Sequence, residues 1–268
     1  MKTDTSGSNV IAIIQARLNS NRLPGKVLLD IAGKPMLTRV VERTSLAKSI
    51  SSIVVVTTTD PSDEAIVELC EIEGYPIYRG SQFDVLDRYY QAAKQFGAEI
   101  IVRITADCPV IDPTVIDKTV NALVDFMHAN PGHAQDGFSA NRLPPPWGRT
   151  YPVGLDTEVC TIAGLELAWR EARLPHQREH VMPFFYENPG RFNIIHVNHE
   201  ADFGHLRWTV DTPQDLELIR QIFSRFPGRL DFNWLEVLDL IEREPDLLNI
   251  NKQVQPKHYR QVDERGYH

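Results

Sequence analysis

The chain is short of cysteine, of net positive charge and of long apolar runs, and each shortage removes a class of function. Its three cysteines, Cys70, Cys108 and Cys160, are widely spaced, and none belongs to a C-x-x-C pair. Neither a disulfide framework nor a structural zinc site is expected, and a reducing cytoplasm suits such a chain. The formal net charge is −8 over 268 residues, whereas nucleic-acid binding normally shows as a basic face or stripe. The first apolar run, Val10 to Ile14, stops at Gln15; it is too short for a secretory core, and nothing approaches a membrane span. Neither G-x-x-x-x-G-K-[ST] nor G-x-G-x-x-G occurs, which argues against a P-loop and against a dinucleotide-binding site. The histidines of HVNHEADFGH (His196, His199, His205) match no structural zinc set, since a spacing of three on a strand sends the first two to opposite faces.

What is present reads as a globular α/β chain, one large domain or two small ones. Hydrophobic residues make up 42% and charged residues 24%, ordinary values for a chain that buries a core. Strand-like VIAIIQ is followed by PMLTRVVERTSLAK at helical spacing, then by the β-branched SIVVVTTT. DPSDEAIVELCEIEG carries a cap signal and ends on Gly74. The short PIYRG, the helix DVLDRYYQAAKQFG, the strand EIIVRITAD and the capped helix DPTVIDKTVNALVDFMHA follow. Strands separated by helices of this length imply βαβ units and a parallel sheet, with ligands at the carboxyl ends of the strands. From about residue 136 to 205 the Pro- and Gly-rich stretch FSANRLPPPWGRTYPVGLDTEV opens an expected irregular lobe. It continues through the helical AGLELAWREA and REHVMPFFYENP and the strand FNIIHV. HLRWTVD reads as a strand, and TPQDLELIRQIFSRF and NWLEVLDLIEREP as helices. The polar residues 1–8 are expected to be disordered, residues 9–250 to form the domain, and 251–268 to be a mobile tail or an arm that orders on a partner.

Two features carry chemistry. The first is QARLNSNRLPGK, residues 15–26, which sets Arg17, Arg22 and Lys26 around a Pro–Gly turn just after the first strand. Guanidinium forks and an ammonium grip phosphate oxygens, Gly25 allows close backbone approach, and Ser20, Asn19 and Asn21 add neutral donors. In an acidic chain this points to a clamp for a small polyanion; a solvated basic loop is the plainer alternative. The second feature is R-x-T-x-D, which occurs as Arg103 to Asp107 and again as Arg207 to Asp211. The period of two puts each Arg, Thr and Asp on one face, with the Asp at the strand's end. Two acids beside a polyphosphate are what Mg²⁺ takes. An Asp near a proline also suits a helix N-cap, so both roles stand open.

The segment IIQARLNSNRLPGKVLLDIAGKPML resembles the N-terminal signature of the CMP-sugar synthetases. These are the CMP-Kdo and acylneuraminate cytidylyltransferases, and the likeness is strongest to the spore-coat polysaccharide SpsF-type branch. RGSQFDVLDRYYQAA, VRITADCPVIDP, GLDTEV, REHVMPFFYENP and LRWTVDTPQDLELI extend the likeness over most of residues 10–225. The resemblance implies a three-layer, GT-A-like nucleotidyltransferase fold of Rossmann type with a small substrate lobe. It implies CTP as co-substrate, Mg²⁺ held by Asp107 and Asp211, and catalysis by these acids with Arg17 and Lys26. The nucleotide set it implies is Gln15, Ala16, Arg17, Ser20, Arg22, Gly25, Lys26, Arg79, Gly80, Ser81, Arg88 and Thr105, with Asp87 or Arg88 at the polar edge. For the sugar it implies the irregular lobe, through Asn141, Arg142, Tyr151, Asp156, Glu158, Arg178, Glu179 and His180, with Arg142 and Arg178 set for an acidic substituent. Gln15 departs from the family pattern, where proline is common, and so does Asn21, but neither change removes a cation.

The implied reaction is CTP + sugar → CMP-sugar + pyrophosphate, in a homodimer that binds neither nucleic acid nor membrane. Three rivals stand beside it. A glycosyltransferase would normally carry D-x-D, and the nearest spacing here is the DTE of Asp156 to Glu158. A uridylyl- or guanylyltransferase would have a glycine-rich opening loop. A regulatory nucleotide-binding subunit would bind CTP without turnover.

Overall fold

The computed structural model describes residues 8–255 and 260–262. The expected disordered N-terminus, apart from Ser8, and residues 256–259 and 263–268 of the expected tail lie outside the described residues.

The apolar VIAIIQ forms β1 (Val10–Gln15), and a two-residue-per-strand hairpin, β2 (Asp30–Ile31) with β3 (Lys34–Pro35), leads into α1 (Met36–Thr44). The expected alternation follows: β4 (Ser52–Thr58), α2 (Glu64–Glu73), β5 (Ile77–Gly80), α3 (Val85–Gln95), β6 (Ile100–Thr105) and α4 (Pro113–Ala129). Short polar side chains start the helices because they satisfy backbone N–H groups that have no partner in the first turn. Asp84 accepts from the Asp87 amide at 2.9 Å, and Asp112 from the Thr114 and Val115 amides at 2.8 and 3.3 Å. Gly74 ends α2 in the left-handed conformation, φ 71°.

Residues 136–205 do more than cover the sheet. They supply β7 (Gly137–Ala140), β8 (Glu158–Thr161), α5 (Ile162–Glu171), α6 (Pro175–His180), α7 (Pro183–Glu187) and β9 (Asn193–His196). Chain without regular structure is concentrated in 141–157, between β7 and β8. Two helices follow, α8 (Pro213–Ser224) and α9 (Trp234–Arg243). The segment HLRWTVD, expected as a strand, runs beside the sheet without joining it: its bridge is Val153 with Arg207, and the Val210 amide donates to the Asp107 carbonyl at 2.8 Å.

The seven strands lie in the order β5-β4-β1-β6-β8-β7-β9. The pairs β1–β4, β1–β6, β4–β5 and β7–β9 are parallel, while β8 runs antiparallel to both β6 and β7. Both faces of the central strands are buried. Ile11 and Ile13 pack with Leu86 and Tyr89 of α3 on one side, and Ala12 and Ile14 with Leu37 and Val40 of α1 on the other. That period-two division of one apolar strand makes a three-layer architecture. A third cluster, around Trp208, Phe232 and Trp234, seats α8 and α9. Arg43 of α1 is fully buried and ties this unit to the sheet. It donates to the carbonyls of Ile111 (2.9 Å), Leu230 (2.6 Å), Val110 (3.4 Å) and Phe232 (3.0 Å), and lies 4.1 Å over the Phe232 ring.

The chain leaves β1 toward β4 on one side and later crosses from β5 to β6 on the other. The carboxyl ends of β1 and β6 therefore open at a topological switch point, where α/β sheets bind ligands. Gln15 and Thr105 are partners in register there.

Candidate active site

The opening loop is pinned to the end of β4. The buried Asp63 carboxylate accepts from the Leu18 amide at 2.7 Å, the Thr57 hydroxyl at 3.1 Å and the Thr58 amide at 3.3 Å. Inside the loop the Gly25 amide donates to the Leu18 carbonyl at 2.9 Å, and Gly25 takes a left-handed φ of 69°. A side chain there would cost about 1–2 kcal/mol. The turn brings Lys26 back over the strand ends.

Lys26 Nζ donates to Asp107 Oδ2 at 2.8 Å, Asp211 Oδ1 at 2.9 Å and the Val210 carbonyl at 2.8 Å. All three ammonium protons are thus engaged. Two acids far apart in the chain, each closing one of the R-x-T-x-D repeats, meet on one cation. Burial opposes the ammonium, but Asp107 and Asp211 outweigh it, and the pKa rises above the ordinary lysine value. Asp107 Oδ1 accepts from the Thr105 hydroxyl at 2.6 Å. Asp211 Oδ2 accepts from Arg207 Nη2 at 2.7 Å and pairs with Arg22 Nη2 at 2.9 Å. Burial pushes the Asp211 carboxyl up, yet Lys26, with Arg207 and Arg22, holds it down at about 2. Neither acid caps a helix: Asp112 caps α4 and Thr212 caps α8. Behind Asp211 the fully buried Asp215 accepts from the Asp211 amide (3.0 Å), Arg207 Nε (3.1 Å) and Asn251 Nδ2 (2.9 Å).

These groups face a cavity of about 350 Å³. Of the sequence-predicted residues, Gln15, Arg17, Asn19, Ser20, Asn21, Arg22, Lys26, Thr105, Asp107, Arg142, Glu179, His180 and Asp211 line it. Ala16 and Arg88 line a smaller recess behind the loop, about 90 Å³, with Gln15, Arg17, Lys26 and Thr105. Arg88 is buried, and desolvation lowers its pKa to about 10. Gly80 makes room for it, since a Cβ there would stand 2.9 Å from the Tyr78 ring and 3.1 Å from Arg88 Cγ.

Several expected residues turn elsewhere. Arg79 pairs with Glu64 at 2.8 Å and Ser81 receives the Asp84 amide at 3.1 Å. Asp87 accepts from the Trp169 indole at 2.8 Å. Asn141 spends its side chain on the Leu155 carbonyl (2.7 Å) and the Thr157 amide (2.9 Å). Tyr151 packs edge-on against Trp234, and Arg178 reaches Asp84 (3.1 Å) and the Trp169 carbonyl (2.7 Å). Asp156 and Glu158 stand one step back, holding the arginines. Glu158 pairs with Arg103 at 2.6 Å and Arg142 at 3.8 Å, and Asp156 with Arg149 at 2.7 Å and Arg142 at 3.5 Å.

Lining residues not predicted are Arg103, Val85, Tyr186, Gln261 and Val262. Arg103 had a signal, its place two before Thr105 on the same strand face; Gln261 and Val262 had none. His180 Nε2 meets the Gln261 carbonyl at 2.9 Å. Burial lowers its pKa to about 4, so the ring is neutral at pH 7. Cys108 sits 3.3 Å from the Thr105 hydroxyl, but burial raises its thiol pKa well above the ordinary value, which makes it a packing group and not a nucleophile.

Cations on a loop and a carboxylate pair facing one cavity, at the switch point of an α/β sheet, define a nucleotidyltransferase type of site. The chain belongs to the cytidylyltransferase family, whose profile it matches over residues 11–254. It is 38% identical to a 3-deoxy-manno-octulosonate cytidylyltransferase of Geobacter metallireducens, over 81% of this chain and 98% of that one. It is 28% identical to the spore coat polysaccharide biosynthesis protein SpsF of Bacillus subtilis, over 89% and 96%. Among solved structures it resembles a cytidylyltransferase from Leptospira borgpetersenii with a TM-score of 0.81 and 33% identity, over 94% of this chain and all of that one.

Proposed function

We propose that the protein transfers the cytidylyl group of CTP to an acidic sugar, giving a CMP-sugar and pyrophosphate. The observation that carries this reading is the convergence of Arg17, Arg22, Lys26, Asp107 and Asp211 on one cavity at the ends of β1 and β6. The loop cations suit the triphosphate, and their charge offsets that of the departing pyrophosphate. Thr105 and the recess of Ala16 and Arg88 adjoin the same wall and suit the nucleoside end.

The oxygens around Lys26, two carboxylates and a carbonyl, are the donor types a hard divalent cation takes. Asp107 and Asp211 fit such an ion, Mg²⁺ in this reading, together with substrate phosphate oxygens. Bound there, it would supply positive charge beside the α-phosphoryl group. For the sugar, Arg142 and Arg103 present guanidinium groups held by buried Glu158, which suits a carboxylate. Glu179 and the neutral His180 complete that end of the cavity, and positioning the sugar hydroxyl for in-line attack is the chain's main contribution to rate. Asp211, held ionised by its cations, suits orientation of charge more than proton uptake.

Pyrophosphate release tests the reading. Protein, CTP and Mg²⁺ are incubated with a panel of 2-keto-3-deoxy sugar acids and neutral sugars, with UTP as the competing nucleotide. Release that requires both CTP and an acidic sugar is expected. Release independent of sugar, or faster with UTP, overturns it.

A further inference from the structure

We propose that the Lys26 ammonium keeps the cation seat between Asp107 and Asp211 filled until a nucleotide arrives, so that the divalent ion enters with the triphosphate and not before it. This deepens the cytidylyltransferase reading by giving the site an order of binding, and it rests on that reading for the nucleotide.

The geometry leaves no vacant oxygen on the pair. Asp107 Oδ2 and Asp211 Oδ1 both bind Lys26, at 2.8 and 2.9 Å. Asp107 Oδ1 holds the Thr105 hydroxyl at 2.6 Å, and Asp211 Oδ2 holds Arg207 at 2.7 Å and Arg22 at 2.9 Å. The Val210 carbonyl closes the third side of the ammonium at 2.8 Å. Lys26 therefore occupies the place of an oxygen-bound cation with every donor proton satisfied, and it is buried while doing so. An incoming divalent ion would have to displace a like charge that is already fully partnered, with Arg22 and Arg207 adding to the repulsion. A triphosphate removes this obstacle. It brings several negative charges into the cavity that Lys26, Arg17 and Arg22 line, gives the flexible lysine another anionic partner, and adds its own oxygens to the ion's shell.

The test uses Mn²⁺ as a paramagnetic probe, read by water-proton relaxation on the full chain, which distinguishes the free ion from the protein-bound one. Wild-type protein without nucleotide is expected to bind Mn²⁺ at least tenfold more weakly than folded Lys26→Met. That gain should vanish when Asp107→Asn is added, and CTP should restore tight binding to the wild type. The proposal is overturned if the nucleotide-free wild type binds Mn²⁺ as tightly as Lys26→Met, or if folded Lys26→Met gains none. Should Lys26→Met fail to fold by circular dichroism, the wild type with and without CTP decides alone: equal Mn²⁺ affinity in the two states sinks the idea. Tighter Mn²⁺ binding by Lys26→Met in a protein that takes up no CTP would support the occupied seat and refute the cytidylyl reading instead.

Discussion

Asp211→Asn removes one negative charge from a point where Lys26, Arg22 and Arg207 converge, and the cost follows from the carboxyl's own titration. The folded protein holds that carboxyl at about 2, against an ordinary value of 3.8. At about 1.4 kcal/mol per pH unit between the two, ionised Asp211 stabilises the fold by roughly 2 kcal/mol at neutral pH. Because the folded-state pKa is the lower one, this contribution is complete above about pH 4 and fades as pH falls toward 2. Urea denaturation at pH 7 should therefore show the variant about 2 kcal/mol less stable than the wild type. The gap should narrow progressively below pH 4, because at low pH both chains carry a neutral group at 211. Pyrophosphate release at pH 7 should fall roughly a hundredfold or more, as happens when one electrostatic partner of a transition state is lost. A variant equal to the wild type in urea at pH 7, or a gap unchanged at pH 2.5, would refute the reasoning.

Two further perturbations separate the scaffold from the sugar end of the cavity. Arg43→Met strips the donor from four carbonyls, two before α4 (Val110, Ile111) and two between α8 and α9 (Leu230, Phe232). It should cost about 3 kcal/mol or more, since buried acceptors lose their partner; a shift in the urea midpoint worth less than 1 kcal/mol by that measure would contradict it. Arg142→Met should spare the fold, because Glu158 keeps Arg103 and Asp156 keeps Arg149. It should raise KM for an acidic sugar roughly tenfold or more while KM for CTP stays level, in line with the loss of one charge-assisted hydrogen bond; equal rises in both would place Arg142 at the nucleotide.

The parts of the fold that were legible are those where one local rule decides. Alternation of β-branched strands with capped helices placed β1 to α4, and the capping Asp84 and Asp112 act through their own neighbours' amides, whereas the cap of α8 is Thr212 and not Asp211. The R-x-T-x-D spacing set each Asp on the face of its own Arg and Thr, because a two-residue period survives in extended chain even where no ladder forms, as in 205–211; that the two acids meet rests on a non-local contact, the Val210 amide on the Asp107 carbonyl. What was not legible depends on partners distant in sequence. Asn141 and Arg178 carry the right chemistry for a sugar, but Leu155, Thr157, Asp84 and Trp169 claim their hydrogen bonds first. Lys26 read as a phosphate ligand because the loop looks cationic, and nothing local announces that both acids would fold onto its ammonium. Gln261 reaches the cavity through a return of the chain that no periodicity encodes.

The reversed direction of β8 has a consequence for how acceptor choice can change. Ala140 closes β7 and Glu158 opens β8, and the two are register partners. Residues 141–157 thus begin and end at the same edge of the sheet, and between those ends Val153 and Gly154 lie against the backbone of 206–209 while Tyr151 and Leu155 enter the third core cluster. The stretch that brings Arg142 to the cavity is therefore the same one that braces 206–209, just ahead of Asp211, so a change of length inside it would disturb the carboxylate pair together with the arginine.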